Sequence, residues 1–164
     1  SFQMPLKIVR PFNTYGPRQS ARAIIPTIIS QILNGEKNLK LGSLTPTRDL
    51  TFVTDTCKGF YEIFECESLI GEVINVGTNS EISINDLVEL IANVMNVKIS
   101  IKTDEQRVRP KDSEVERLVC DNSKLMNYTN WSPSYSIERG IKEVIEWMKE
   151  SSNLNKYKTK QYNV

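Results

Sequence analysis

An α/β domain, α+β-like in its mixed order and built from short strands with packed helices, is the fold class this sequence predicts. Three observations predict it. Two segments, near 84–95 and 136–150, repeat apolar residues at helical spacing. Short strand-like runs at 6–12, 38–42, 72–77 and 97–103 are interleaved with helical patterns rather than gathered at one end. The 164 residues, 39% of them hydrophobic, fit one domain with one core.

Taken in order, LKIVRPF at 6–12 reads as a strand and the NTYGPR run after it as a loop, with Gly16-Pro17 as its breaker. Isoleucines at 24, 25, 28, 29 and 32 predict a helix over 23–33 that is buried over a wide face. Pro26 suits its first turn, and Gly35 after Asn34 suits its carboxyl cap. NLKLG at 38–42 alternates as a short strand, and SLTPT leads to a second run, RDLTFV, at 48–53. Thr54 or Asp55 is expected to cap a helix whose buried stripe is Cys57, Phe60, Tyr61 and Phe64.

EVINVG at 72–77 is a strand ended by Gly77, and Ser83 with Asp86 forms a capping box for the helix carrying Leu87, Leu90, Ile91 and Val94. VKISIKT at 97–103 alternates as a strand; a short helix is expected near 122–127, then a loop through Trp131-Ser132-Pro133. In the helix from about 136 to 150, Ile137, Ile141, Val144, Ile145 and Met148 share one face. The domain is thus expected to occupy residues 1–150, with 151–164 a polar, basic tail lacking apolar periodicity and fixed structure.

Composition removes several function classes. With Lys+Arg 21 against Asp+Glu 20, no global field draws the chain to nucleic acid or to a membrane surface. There is no histidine, and the cysteines, 57, 66 and 120, lack metal-ligand spacing, so zinc sites, disulfide frameworks and His-dependent nucleophiles are not expected. The apolar runs fall far short of the roughly 20 residues that span a bilayer. SFQMPLKIVR has no signal-peptide pattern, and a cytoplasmic location is the expectation.

Binding chemistry concentrates in arginines and one amide. Asn13, Tyr15, Gly16, Pro17 and Arg18 fall within six residues, a loop suited to a phosphate or a cofactor amide, or else a structural turn with an exposed arginine. Arg48 precedes an apolar run, and Arg107 and Arg109 lie in RVRPKD. Guanidinium forks match phosphate oxygens, and two or three neutralise a diphosphate. The alternative for each is a surface ion pair, with Asp49 and Asp112 as partners. No GxGxxG loop and no Tyr-x-x-x-Lys pair occurs, so spacing assigns no catalytic residue.

The motifs RPFNTYGPR at 10–18, IIPTII at 24–29, LGSLTPTRDLTFVTD at 41–55, GEVINVGT at 71–78, ISINDLVELI at 82–91 and RVRP at 107–110 resemble, in order and spacing, the extended short-chain dehydrogenase/reductase superfamily. The likeness extends to about residue 150 and is nearest the bacterial nucleotide-sugar 4,6-dehydratases of the legionaminic-acid type. It implies the C-terminal, substrate-binding portion of an NAD-dependent epimerase/dehydratase, with the Rossmann half and the Tyr-Lys pair upstream of Ser1. By that resemblance Phe12 lines the nicotinamide side, Asn13 binds substrate phosphate, and Arg18 stands at the pocket rim. The helix holding Pro26 covers the nucleotide, Arg48 and Arg109 grip the diphosphate, and Arg107 is their weaker companion.

The implied reaction begins with hydride transfer from sugar C4 to NAD. A dehydratase then eliminates water across C5 and C6, whereas a 4-epimerase returns the hydride to the other face of C4. The implied partner is a nucleotide-diphosphate sugar, the parent is expected to be a homodimer, and the portion alone is expected to be inactive. A non-catalytic nucleotide-binding module is the competing reading. Nucleic-acid binding through the lysine-bearing tail is disfavoured by the near-neutral charge.

Overall fold

The computed structural model describes residues 4–108, 110 and 113–157. The chain divides into two compact units, the first formed by 1–15, 48–81 and 118–137 and the second by 16–47, 82–117 and 138–164. Six helices and nine short strands are found among the described residues, the mixed order expected.

In the first unit, strand β1 (Ile8–Pro11) pairs in parallel with β6 (Val73–Val76), and β2 (Asn13–Tyr15) pairs in parallel with β5 (Leu50–Phe52). The Asn13 segment is therefore strand, where its composition predicts a loop. Propensity yields here to pairing, because the chain leaves β6 at Phe12, whose N–H donates to the Val76 carbonyl at 2.9 Å, and takes β5 as its next neighbour.

Helix α2 (Val53–Glu65) covers these strands, and α4 (Ser123–Tyr128) packs on β6. Ile63, Leu69, Ile74, Val76, Leu125 and Trp131 form the core, with Val9 and Cys66 against it. The buried face of α2 is Asp55, Thr56, Gly59 and Ile63, not the predicted stripe. Phe60, Tyr61 and Phe64 are exposed, and so is Cys57, which does not pack as expected. Gly59 explains the rotation: a Cβ there would lie 2.7 Å from Val76 Cγ1 and 3.2 Å from Trp131 Nε1, so only a bare Cα lets the helix settle on β6 and the indole.

Neither Thr54 nor Asp55 caps α2. Phe52 holds the cap position, while the Asp55 carboxylate accepts the backbone N–H groups of Ser134 and Tyr135, each at 3.0 Å. The Asp55 carbonyl takes the Trp131 indole N–H at 2.9 Å, which fixes the Trp-Ser-Pro loop.

The second unit holds α1 (Ile24–Leu33), β3 (Asn38–Leu41), α3 (Ile84–Val94) and β8 (Ser100–Thr103). β3 and β8 pair in parallel, and α1 packs on both α3 and β3. Helix α1 ends as predicted: Gly35 takes a left-handed φ of 84°, and the Glu36 N–H reaches the Gln31 carbonyl at 3.0 Å. The buried Gln31 amide does a second job. Its Oε1 accepts the Lys40 N–H at 2.8 Å and its Nε2 donates to the Lys40 carbonyl at 3.3 Å, satisfying the backbone of β3 on the edge away from β8.

Ser83 caps α3 through the Asp86 N–H at 3.0 Å, as the capping box predicts. β8 starts at Ser100 rather than Val97, because Asn96 closes α3 with a left-handed φ of 53° and the Val97 N–H bonds back to the Ala92 carbonyl. Helix α5 (Ile137–Lys149) buries Ile141, Val144, Ile145 and Met148 as expected. The structureless tail is corrected for residues 151–157: Ser151–Leu154 form helix α6, and Tyr157 is buried edge-on to Trp147 with its hydroxyl donating to the Gln19 carbonyl at 2.8 Å. Residues 158–164 lie outside the described residues. The short strands β4 (Thr47–Arg48), β7 (Ile82–Ser83) and β9 (Arg117–Leu118) fall where the chain passes from one unit to the other.

Candidate functional site

In the first unit the candidate site lies where the β1–β2 segment changes partner. β6 and β5 each claim part of it, so the strands part after Phe12, the kind of break at which open α/β sheets receive ligands. Phe12 is half-buried at the break. Asn13 follows in register with Leu50, two positions downstream of Arg48 on the paired segment. The Asn13 Nδ2 is buried and has no acceptor among the described residues. A buried donor without an acceptor costs about 1–3 kcal/mol, which a phosphate oxygen or a carboxamide carbonyl placed there would offset. Thr51 Oγ1 on the neighbouring strand is likewise buried without a partner among the described residues.

Arg48 is half-buried at the start of this segment, but Asp49 is not the solvent-facing partner predicted for it. Asp49 is fully buried, and its Oδ1 accepts the N–H and hydroxyl of Thr78 at 2.9 and 2.7 Å. Its Oδ2 accepts the N–H groups of Asn79 and Cys120 at 2.9 and 3.1 Å. One carboxylate thus ties the end of β6 to the segment before α4 and to the strand carrying Arg48, and its acceptor sites are filled by these donors. Gly77 permits this closure, since a Cβ there would lie 2.7 Å from Cys120 Sγ and 3.2 Å from Asp49 Oδ2. Burial first, then the charges of Asp49 and Asp121, pushes the Cys120 thiol up to about 12. It is a packed, neutral group rather than a nucleophile. Tyr15 lies nearby in edge contact with Phe52, and its phenol is raised well above the ordinary range by burial and then by the Asp55 charge.

The second unit carries Arg18, Pro26 and Arg107. Gly16 to Gln19 form a turn closed by the Gln19 N–H on the Gly16 carbonyl at 3.3 Å, with Pro17 at its second position and Arg18 at its third with φ 68°. That is the type II pattern, whose third position normally takes glycine. The backbone freedom expected of Gly16 is thus exercised at Arg18, which is exposed. Pro26 is buried in the first turn of α1. Arg107 ends a 3-10 turn (Glu105–Arg107), and its Nε donates to Asp104 Oδ2 at 3.1 Å. The predicted partner, Asp112, lies outside the described residues, as does Arg109.

Two contributors went unread in the sequence. The sequence offers Asp49 only as an alternative surface partner of Arg48, and its spacing gives no signal of the four donors that meet it in the interior. Gly42, at the end of β3, backs onto the Arg107 carbonyl, and the available signal was a glycine closing an alternating run.

Parallel strand pairs with covering helices are the fold this chain shares with part of an extended short-chain dehydrogenase/reductase. More narrowly, the chain belongs to the GDP-mannose 4,6 dehydratase family, whose model matches residues 1–144. It is 32% identical over 155 residues to the UDP-N-acetyl-alpha-D-glucosaminuronate decarboxylase of Bacillus cytotoxicus, covering 92% of this chain and 48% of that protein. It is 28% identical to the dTDP-glucose 4,6-dehydratase of Xanthomonas campestris, covering 90% and 43%. Among solved structures, the UDP-glucuronic acid 4-epimerase of Bacillus cereus, in complex with UDP-glucuronic acid and NAD, superposes with a TM-score of 0.81 at 28% identity, covering 91% of this chain and 46% of that one. The chain spans about half the length of the curated relatives it matches.

Proposed function

We propose that this chain is the sugar-nucleotide-binding part of an NAD-dependent nucleotide-sugar 4,6-dehydratase. The observation that carries the reading is the buried Nδ2 of Asn13, without an acceptor among the described residues, at the parting of the strands and in register with the segment that begins at Arg48. This donor fits a diphosphate oxygen, and Arg48, in the same unit, supplies a guanidinium fork toward its charge. Phe12, half-buried at the parting of the strands, is proposed for the nicotinamide side of the ligand on the family likeness.

When bound, the dinucleotide supplies the hydride acceptor for sugar C4. This chain's own part is to hold the diphosphate, orient the sugar and exclude water, work that lowers a barrier by positioning. Neither a general base nor a proton route is assigned to its residues. The 32% and 28% relatives are a decarboxylase and a dehydratase by name, and the superposed structure is a 4-epimerase. A 4-epimerase is therefore the second reading.

The test is calorimetry on the full-length protein with UDP-, GDP- and dTDP-sugars. Arg48→Ala and Asn13→Ala should each weaken the preferred ligand roughly tenfold or more. Affinity unchanged in both variants would remove the site from this part of the chain. Mass spectrometry of the product separates the two chemistries, since a dehydratase product has lost water and an epimerase product keeps the substrate's mass.

A further inference from the structure

Asn34 and Gly35, at the carboxyl end of α1, are the one Asn-Gly pair in the sequence. Such a pair has a chemistry of its own. The glycine nitrogen carries no crowding side chain beside it, so once it has lost its proton it attacks the asparagine carboxamide carbon. The new N–Cγ bond closes a five-membered succinimide, the Cγ–Nδ2 bond breaks, and ammonia leaves. Water then opens the ring at either carbonyl, and position 34 becomes an aspartate or an isoaspartate. The sum is carboxamide plus water giving carboxylate plus ammonia, with nothing oxidised or reduced.

The surroundings leave this reaction open to solvent. Both residues are exposed, and a Cβ at Gly35 would meet nothing within 4 Å, so no neighbour shields the nitrogen. What restrains the pair is the helix cap itself. Asn34 Nδ2 donates to the Ser30 carbonyl at 2.7 Å, and the Gly35 N–H donates to the Ile32 carbonyl at 2.9 Å. The leaving group and the attacking nitrogen are thus each tied to a helix carbonyl, and the nitrogen keeps the proton it has to lose. Asn122, which is followed by serine, makes the contrast. It is 3% exposed, with its Nδ2 on the Gly77 carbonyl at 2.8 Å, so packing holds it. A helix end opens far more readily than a packed interior.

We infer that Asn34 is a site of spontaneous deamidation, gated by opening of the α1 carboxyl cap. The product undermines the cap that delays it. A carboxylate offers the Ser30 carbonyl no donor, and it adds negative charge at the end of the helix where the dipole disfavours it. Gln31 lies in the same last turn, where its carbonyl accepts the Glu36 N–H at 3.0 Å. Its side chain holds the N–H and carbonyl of Lys40, so loosening of this turn reaches β3.

The experiment incubates the full-length protein at mildly alkaline pH, folded and in guanidinium chloride, and follows each asparagine peptide by mass spectrometry. The peptide holding Asn34 should convert before the others, and roughly tenfold faster in the unfolded chain than in the folded one. Asn34→Gln should abolish the conversion, since the longer side chain would have to close a six-membered ring. Asn34→Asp should speed amide exchange at Lys40. No conversion at position 34 in the unfolded chain, or earlier conversion at another asparagine, overturns the assignment. Equal rates in the folded and unfolded chain overturn the gating by the cap, and unchanged exchange at Lys40 in Asn34→Asp overturns the link to β3.

Discussion

Helices α2 and α5 are both 13 residues long, and both show an apolar stripe in the sequence, yet they use it in opposite ways. In α5 the aliphatic stripe is the buried face, so periodicity and packing agree. In α2 the aromatic stripe points outward, with Phe64 74% exposed, and the inward face is an acid, a threonine, a glycine and an isoleucine. Periodicity locates a face; what a helix buries depends on what its neighbours offer. α2 is offered β6, an indole and two backbone N–H groups, and a glycine with a carboxylate answers them better than phenylalanine does.

The contrast can be broken experimentally. Asp55→Ala should lose the most, about 4 kcal/mol in urea unfolding, because two N–H groups are left without their acceptor. A loss below about 1 kcal/mol would mean that α2 is held by its aliphatic residues after all. Ile141→Ala, on the fully buried stripe of α5, should cost about 3 kcal/mol, as expected of a cavity in an aliphatic layer. A neutral result would show that stripe to be loosely packed.

Alkaline pH sharpens the same comparison. Cys120 is raised from its ordinary 9.0 to about 12, so the folded chain keeps a proton that the unfolded chain sheds. That contribution is intact below about pH 9 and is lost progressively toward pH 12. Stability should therefore fall by roughly 1 kcal/mol for each pH unit above 9 attributable to this thiol, and Cys120→Ala should flatten the curve. An unaltered slope in urea titrations of the variant would assign the alkaline loss elsewhere, with Tyr15 the next group to test. Smallest of all, Phe64→Ser should change stability by no more than about 0.5 kcal/mol. A loss above about 1 kcal/mol in the full-length protein would show that another surface covers this face.

Much of the fold was legible where local rules and tertiary demands coincide. Ser83 with Asp86, Gly35 after Asn34 and the Ile141 stripe were read correctly because caps and aliphatic periodicity are properties of a few adjacent residues. Asn13–Tyr15 and Tyr157 were misread because their order comes from distant partners, β5 for the one and Trp147 with Gln19 for the other. The site divides the same way. Arginines near turn and strand ends are visible in sequence, and so is Asn13 beside a breaker. The groups that hold them are not: Asp49 looks like a surface partner until its four donors are seen, and Gly42 looks like a turn residue until the Arg107 carbonyl is found against it.

The Gln31 amide has a consequence for the chain in a crowded solution. A short parallel pair such as β3 and β8 has an outer rim of backbone groups on which another chain's strand can nucleate. By occupying both the N–H and the carbonyl of Lys40 from within the same molecule, Gln31 blocks the position where such a foreign strand would first gain hold. At Lys40 the rim is thereby closed to a further strand from within the same molecule.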